Sequence, residues 1–223
     1  MQFLKKFLSA LALLSFAIGV SASPATPKEG AEYVVLPSPQ PTDSGKKIEV
    51  IEFFAYWCPH CYSFEPALSA WVKKQGDNIV FKRVHVPFRE DTVPQQKLFF
   101  TLEAMGLAEK LQSKVFDAYH VERNRLNRDE AVFEWAAKNG IDKQKFIDTY
   151  RSFGVTGKLR RANAMMDLYK VEYWPVVIVD GRYQTSPHQA GAAAGNANTE
   201  PEQQQAAIEV LDYLVAKAKA EKK

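Results

Sequence analysis

Residues 48–61 read IEVIEFFAYWCPHC, and this stretch decides the fold of the chain. Its first half, Ile48 to Ala55, is β-branched, aromatic and largely apolar on both faces, which predicts a strand in the centre of a sheet. Its second half leads into Pro59 to Lys74, where apolar residues recur at helical spacing. The stretch therefore predicts a central strand followed by a helix, with Cys58 and Cys61 at the junction.

The sequence on either side of this stretch predicts a sheet that is interrupted by helices. Ser23 to Gly45 is rich in proline and indicates an extended lead-in, within which Glu32 to Leu36 could form a short edge strand. Ile79 to Val86 alternates between apolar and polar residues, as a second strand does. From about residue 91 to 170 the apolar residues recur at helical spacing, without a good strand signal. This part of the chain is therefore expected to be a helical insertion.

The last fifty residues predict a return to the sheet and a closing helix. Val176 to Gln184 is typical of a hairpin, because Asp180-Gly181 supplies the positive φ of a tight turn. The small residues 191–198 predict a loop. Thr199 and Glu202 then form a capping box, which predicts the start of a C-terminal helix. One α/β sheet with a helical insertion explains this order of elements best.

The first 22 residues have the layout of a secretory signal peptide. Lys5 and Lys6 precede an apolar run from Phe7 to Val20, and the residues that follow place the cleavage after Ala22. The run is shorter than the roughly 20 residues that a membrane-spanning helix needs, although an uncleaved anchor is the alternative. Export implies an oxidising compartment, where cysteine pairs persist as disulfides. The mature chain would then be a single domain over residues 23–223.

Composition and charge narrow the classes of function. The chain has 223 residues, of which 46% are hydrophobic and 25% charged, as in one ordinary globular unit. The formal net charge of +3 falls to +1 when Lys5 and Lys6 leave with the signal peptide. A chain so near neutrality has no general electrostatic attraction for nucleic acid or for anionic membranes.

The only two cysteines lie in a position that favours redox chemistry. Cys58 would cap the helix, with Pro59 at the first helical position, where a missing N–H costs nothing. The free N–H groups of the first turn, the helix dipole and a protonated His60 would favour a thiolate at Cys58. A stabilised thiolate stabilises the reduced form, so the disulfide readily oxidises other proteins. Cys61, one turn further, would be more buried and would resolve the mixed disulfide.

Other uses of the cysteine pair stay open on the residues alone. A purely structural disulfide would add little through chain entropy, because the loop that it closes is so short. A copper(I) or zinc site of Cys58, His60 and Cys61 suits thiolate ligands but lacks a clear fourth ligand. A chaperone that holds peptides without using its cysteines is a third alternative. Redox exchange is the favoured hypothesis, with Tyr56 and Trp57 as an apolar rim for unfolded chains.

The run from Leu36 to Cys61, with Glu52-Phe53-Phe54 ahead of Cys-Pro-His-Cys, resembles the DsbA family of periplasmic thiol:disulfide oxidoreductases. The likeness continues through the helical insertion to Trp174-Pro175 and to VDGRY at residues 179–183, so it covers nearly all of the mature chain. Cys-Pro-His-Cys separates this family from thioredoxin, which carries Gly-Pro between its cysteines. The family implies a thioredoxin fold with an inserted all-helical subdomain, here at about residues 91–170.

The resemblance also implies an activity and its partners. The family oxidises newly exported, unfolded proteins that carry cysteine pairs, and the quinone-linked membrane protein DsbB reoxidises it. The Cys58–Cys61 disulfide is then the only redox group, and no metal, nucleotide or flavin is expected. An isomerase is disfavoured, because the lead-in leaves no room for a dimerisation domain, and a monomer is expected.

Three residues around the cysteines are expected to tune or assist the reaction. Glu52 is a carboxylate in an apolar central strand, where burial would raise its pKa and let it relay protons. It matches the family's acidic residue beneath the resolving cysteine, which implies proton exchange with Cys61; the alternative is a strand-end acid that reaches solvent. His60, together with Pro59, is expected to tune the redox equilibrium of Cys58, against the alternative of a solvated histidine without a role.

The dipeptide Trp174-Pro175 is the expected substrate-binding loop. An X–Pro bond is trans by default, but thioredoxin-fold proteins place a cis-proline loop opposite the active cysteines. In that position Pro175 would expose backbone groups that pair with a substrate like an added strand. Trp174 stands where the family usually has a smaller residue, so its indole could narrow the groove or stack on substrate; plain core packing is the alternative.

Overall fold

The computed structural model describes residues 26–195 and 197–222. The signal peptide predicted for residues 1–22 lies outside the described residues. The described chain contains a five-stranded sheet of mixed direction with the strand order β1-β5-β4-β2-β3. The strands are β1 (Val34–Val35), β2 (Ile48–Phe54), β3 (Ile79–His85), β4 (Val176–Val179) and β5 (Tyr183–Thr185).

The strand β2 is central, as its two-sided apolar sequence predicts. All seven of its residues are buried, and it pairs parallel with β3 and antiparallel with β4. The register places Glu52 of β2 beside Arg83 of β3, so two opposite charges meet inside the sheet. At the other edge, β1 pairs antiparallel with β5 but is shorter than the predicted strand over Glu32 to Leu36.

The described residues form eight α-helices, and five of them follow one another between β3 and β4. The helices are α1 (Pro59–Gln75), α2 (Val93–Ala104), α3 (Ala108–His120), α4 (Asp129–Lys138), α5 (Lys143–Tyr150), α6 (Phe153–Tyr169), α7 (Pro187–Ala194) and α8 (Glu200–Glu221). The helices α1 and α8 pack against one face of the sheet, on Ile48 and Val50. On the other face, Tyr169 of α6 contacts Phe53 with ring centroids 5.6 Å apart and α2 contacts β3, while α4 and α5 pack on α2. The predicted α/β fold with a helical insertion is therefore confirmed.

Of the two predictions made for residues 176–198, the hairpin is confirmed and the loop of small residues is partly wrong. The hairpin turn is as predicted, with φ of 51° at Asp180 and 65° at Gly181. The loop predicted for residues 191–198 is wrong in its first half, because α7 continues to Ala194. A side chain at Gly191 would collide with Gln203 of α8, so the small residues serve the close approach of two helices. Within the described ranges, no helix has the length and apolarity to cross a membrane.

Candidate active site

Cys58 is the residue that begins α1. Its backbone is extended, with φ of −82° and ψ of 118°, and Pro59 occupies the first helical position, where its missing N–H costs nothing. The Cys58 Sγ accepts a hydrogen bond from the Cys61 N–H at 3.4 Å, and it lies 3.8 Å from the carbonyl oxygen of Trp174. Both cysteines have free thiols, and both side chains are buried. The sulfur of Cys58 therefore lies between the start of a helix and the loop that precedes Pro175.

The two cysteines have opposite pKa shifts although they are one helical turn apart. The pKa of Cys58 falls to about 7, because the Cys61 thiol and the N–H groups of Cys61 and His60 donate to its sulfur, against the effect of burial. The imidazole of His60 lowers the same pKa further when it is charged. Burial raises the pKa of Cys61 above its ordinary value, and the neighbouring Cys58 and Glu52 raise it further. Of the pair, Cys58 is the thiol that ionises near neutral pH.

Glu52 is fully buried, which excludes the alternative of a strand-end acid that reaches solvent. Its Oε2 accepts a hydrogen bond from Arg83 Nε at 2.8 Å, while its Oε1 has no hydrogen-bond partner among the described residues. Burial raises the pKa of Glu52 to about 7, with Arg83 opposing that shift. The ion pair with Arg83 is a contact that the sequence did not predict.

Arg83 is buried and contacts three carboxylates, one of which is Glu52. Only 2% of its side chain is exposed, and its guanidinium contacts Glu52, Glu65 of α1 and Glu109 of α3. Three carboxylates around one buried cation compensate much of its desolvation cost. The sequence signal for this cluster is two acidic residues in one strand and two basic residues in the next. The strand register, which decides which of them pair, cannot be read from the sequence.

His60 is exposed, but it has a partner that sequence reasoning missed. Its Nδ1 lies 2.8 Å from Oε1 of Glu200, the first residue of α8, and 70% of its side chain is exposed. The hydrogen bond to Glu200 raises the pKa of His60, which favours the charged imidazolium. A residue 140 positions away thus acts on the charge that lies next to Cys58.

The bond between Trp174 and Pro175 is a cis peptide bond, and its loop faces the start of α1. The indole of Trp174 contacts Trp57 edge-on at 5.4 Å between ring centroids, and both rings contact Phe88. Phe88 is 56% exposed, whereas Tyr56 is fully buried. The expected apolar rim of Tyr56 and Trp57 is therefore wrong for Tyr56; three rings from three loops (Trp57, Phe88 and Trp174) form it instead.

A cavity opens beside this aromatic rim. It has a volume of about 270 Å³ and lies between the loop that contains Pro175 and the first turns of α7 and α8. His60 and Glu200 line one side of it, and Trp174 lines another. The residues predicted to tune the cysteines and those predicted to bind substrate thus share one concave surface.

The remaining histidines lie apart from the cysteine sulfurs. His85 and His120 both contact the main chain of Tyr56, and His188 is exposed in the first turn of α7. Across residues 26–195 and 197–222, no three His, Cys, Asp or Glu side chains form a group that could hold a metal ion. The reactive groups assembled here are two thiols, a buried carboxyl and an imidazole.

Comparison with known proteins places the chain in a family. Residues 49–207 match the family model of the DSBA-like thioredoxin domain. The chain is 43% identical to the thiol:disulfide interchange protein DsbA of Burkholderia cepacia, over 98% of this chain and 100% of that protein. It is 38% identical to the protein of the same name from Azotobacter vinelandii, over 90% of each chain. The crystal structure of Pseudomonas aeruginosa DsbA superposes with a TM-score of 0.78 at 34% identity, over 87% of this chain and 96% of that one. This chain therefore belongs to the DSBA-like thioredoxin family and is a thiol:disulfide oxidoreductase.

Proposed function

We propose that the chain is an oxidase, which donates the Cys58–Cys61 disulfide to proteins newly exported to the periplasm. The observation that carries this proposal is the Cys58 sulfur at the start of α1, with its pKa lowered to about 7. Each hydrogen bond to that sulfur stabilises the thiolate and hence the reduced form. A stabilised reduced form makes the disulfide a strong oxidant, because the free energy of exchange favours its reduction.

The first step is attack of a substrate thiolate on the Cys58 sulfur. A bond forms between the substrate sulfur and Cys58, and the Cys58–Cys61 bond breaks with its electron pair on the Cys61 sulfur. Burial raises the pKa of Cys61, so this sulfur takes up a proton as it leaves. Glu52 supplies that proton, because its carboxyl has a pKa of about 7 and its charge acts on Cys61.

The second step releases the oxidised substrate. A second substrate thiolate attacks the substrate sulfur of the mixed disulfide, so a new bond forms within the substrate. The bond to Cys58 breaks, and the electron pair leaves with the Cys58 sulfur. The low pKa of Cys58 makes it a good leaving group, since the N–H groups of Cys61 and His60 donate hydrogen bonds to the sulfur as its charge forms. The substrate loses two electrons in the sequence, and the cysteine pair gains them.

The loop of Trp174 and Pro175 holds the substrate chain next to Cys58. Its carbonyl oxygen at Trp174 lies 3.8 Å from the sulfur, so a backbone paired to this loop would bring its own cysteine within reach. The rings of Trp57, Phe88 and Trp174 supply an apolar surface that suits unfolded chains, whose apolar side chains are accessible. Sequence preference in the substrate is therefore weak, and cysteine pairs are the common requirement.

A membrane protein like DsbB reoxidises the pair and passes the two electrons to a quinone. The cysteine pair is then the only redox group that the chain needs, and it acts as a monomer after removal of residues 1–22. The support for these parts is the family membership and the sequence of the N-terminal segment.

Oxidation of a reduced model peptide without oxygen tests the proposal. The disulfide form of the chain should oxidise a peptide with two cysteines rapidly, and its equilibrium with glutathione should favour the reduced chain. A disulfide held as tightly as that of a reductase would contradict the proposal. A variant with both cysteines replaced by serine separates the alternatives, because a peptide-holding chaperone would keep its activity. Tight binding of one copper(I) ion by the reduced chain, with slow peptide oxidation, would instead favour the metal-carrier alternative.

A further inference from the structure

The main chain of Tyr56 is held from two sides by histidine side chains. Its N–H donates to His85 Nε2 at 3.1 Å, and its carbonyl oxygen accepts from His120 Nε2 at 2.8 Å. Tyr56 is fully buried and lies beyond the end of β2, hence beyond the hydrogen bonds between strands. Buried backbone groups need partners, so the two histidines complete the backbone of the segment that leads to Cys58.

Each histidine is held in the protonation form that this contact requires. The Nδ1 of His85 lies 3.0 Å from the carbonyl oxygen of Val86, which only accepts, so Nδ1 carries the hydrogen and Nε2 offers a lone pair. Burial lowers the pKa of His85 to about 3, which keeps the ring neutral. The Nε2 of His120 must carry a hydrogen, because it faces a carbonyl oxygen. One histidine thus accepts from the Tyr56 peptide groups and the other donates to them.

The helix α3 of the insertion anchors this arrangement. Its Gln112 accepts a hydrogen bond from the Tyr56 hydroxyl at 2.8 Å. The ring of His120 stacks on Tyr62 of α1, with centroids 4.6 Å apart and planes within 4°. The Tyr62 hydroxyl in turn donates to Asp117 of α3 at 3.0 Å. The inserted helices therefore contact the segment before Cys58 and the helix after it.

We propose that His85 and His120 are positioning residues, which hold the Tyr56 peptide so that Cys58 begins α1 in the orientation that stabilises its thiolate. The Cys58 N–H donates to the Ala55 carbonyl oxygen at 3.1 Å, so the turn that contains Tyr56 sets where Cys58 lies. A looser turn weakens the hydrogen bonds from the first turn of α1 to the sulfur. Those bonds stabilise an anion, so their loss destabilises the reduced form more than the disulfide. The inference rests on the proposed role of Cys58 as the ionised thiol.

Substitution of His120 tests this role, because each variant removes a different part of the contact. His120→Phe keeps a ring that can stack on Tyr62 but loses the hydrogen donated to Tyr56. His120→Gln returns an N–H donor at a similar reach from the backbone. Tyr62→Phe is the matched control, since it keeps the stacked ring and loses only the hydrogen bond to Asp117.

Two measurements are made on each variant: the equilibrium with glutathione, and the pH at which alkylation of Cys58 reaches half its maximal rate. In His120→Phe the disulfide should be held about fivefold more tightly, as expected for one lost hydrogen bond, and the alkylation midpoint should move to higher pH. His120→Gln and Tyr62→Phe should both stay within about twofold of the parent chain.

The outcomes separate this inference from the proposed function. A parent midpoint near that of free cysteine would contradict the proposed function itself. A parent midpoint near 7 that His120→Phe leaves unmoved, with an unchanged glutathione equilibrium, would overturn only the positioning role. If His120→Phe does not fold, His120→Asn gives the same test, because its shorter amide does not reach the Tyr56 carbonyl. Equal destabilisation of both redox forms would likewise show a structural role and overturn the inference.

Discussion

Cys58 and Cys61 lie one helical turn apart and are both buried, yet different groups act on their sulfurs. Cys58 caps a helix, receives hydrogen bonds from the backbone and lies next to an exposed imidazole. Cys61 has no exposed surface, and the negative charges of Cys58 and Glu52 act on its sulfur. The same side chain therefore has a lowered pKa at one position and a raised pKa at the other. Position on the helix, rather than the identity of the residue, decides which sulfur carries the charge.

The largest effects should come from exchanging the two cysteines separately. Cys58→Ser should abolish peptide oxidation, because the sulfur that substrates attack is missing. Cys61→Ser leaves Cys58 able to form a mixed disulfide but removes the partner that resolves it, so an adduct should accumulate. Mass spectrometry after reaction with an activated disulfide should find the adduct in Cys61→Ser and none in Cys58→Ser. Equal amounts of adduct in both variants would contradict the claim that substrates attack the Cys58 sulfur and not the Cys61 sulfur.

Glu52→Gln removes the buried carboxyl that acts on Cys61, and it should change how the free energy of unfolding depends on pH. The pKa of Glu52 is raised from 4.5 to about 7, so the folded state binds a proton that the unfolded chain loses. Its contribution to stability is therefore greatest below pH 4.5 and falls as the pH rises to 7, by on the order of 3 kcal/mol. The difference in unfolding free energy between parent and Glu52→Gln should change by about that amount between pH 4 and 8.

The same variant tests the proton relay. In the parent chain the rate of peptide oxidation should show an inflection near pH 7, which Glu52→Gln should remove. Glu49→Gln is the matched control, because Glu49 is a buried acid of the same strand that pairs with Lys82. Identical oxidation kinetics of parent and Glu52→Gln from low to high pH would remove the relay from the mechanism.

His60→Ala tests how much the charged imidazole stabilises the Cys58 thiolate, and its expected effect is smaller than those above. The charged imidazole lowers the pKa of Cys58, so its loss should make the disulfide less oxidising. Because 70% of the His60 side chain is exposed, solvent screens the interaction, and a change of about fivefold in the glutathione equilibrium is expected. An unchanged equilibrium would show that the Cys61 thiol and the N–H groups of α1 stabilise the thiolate without a contribution from His60.

Glu200→Gln should give the smallest effect of the series. Its carboxylate raises the pKa of His60 through the 2.8 Å contact, so the variant should lower that pKa towards its ordinary value of 6.5. Titration of the His60 ring by nuclear magnetic resonance measures this directly. The change in the glutathione equilibrium should be less than that of His60→Ala, since an exposed pair contributes little. A His60 pKa that Glu200→Gln leaves unmoved would show that the contact does not persist in solution.

The local features of the active site could be predicted from the sequence, because they depend on neighbouring residues. The order Cys58-Pro59 after an apolar strand is enough to place a cysteine at the start of a helix. The Asp180-Gly181 turn is local in the same way. The contacts of Arg83 and Glu200 with the site depend on strand register and helix packing, which join residues 31 and 140 positions apart. Such contacts leave no periodic signal in a single sequence.

The segment 191–198 shows a second feature of the fold that the sequence could not predict, which is the close contact between two helices. Its glycines and alanines predicted a loop, because such small side chains provide little apolar surface for a buried stripe. In the fold the same small side chains let α7 lie close against α8, and a Cβ at Gly191 would meet Gln203. Small residues therefore indicate either a loop or a close contact, and only the partner helix distinguishes them.

The most direct test of the comparison is the alkylation rate of each cysteine in the reduced chain as a function of pH. Iodoacetamide reacts with thiolates, and mass spectrometry of the digested product assigns the reaction to Cys58 or Cys61. Cys58 should reach half its maximal rate near pH 7, and Cys61 should stay unreactive until the pH lies above the ordinary thiol value of 9. A half-maximal rate for Cys58 near pH 9, or equal reactivity of the two sulfurs, would contradict the claim that the start of α1 stabilises the thiolate.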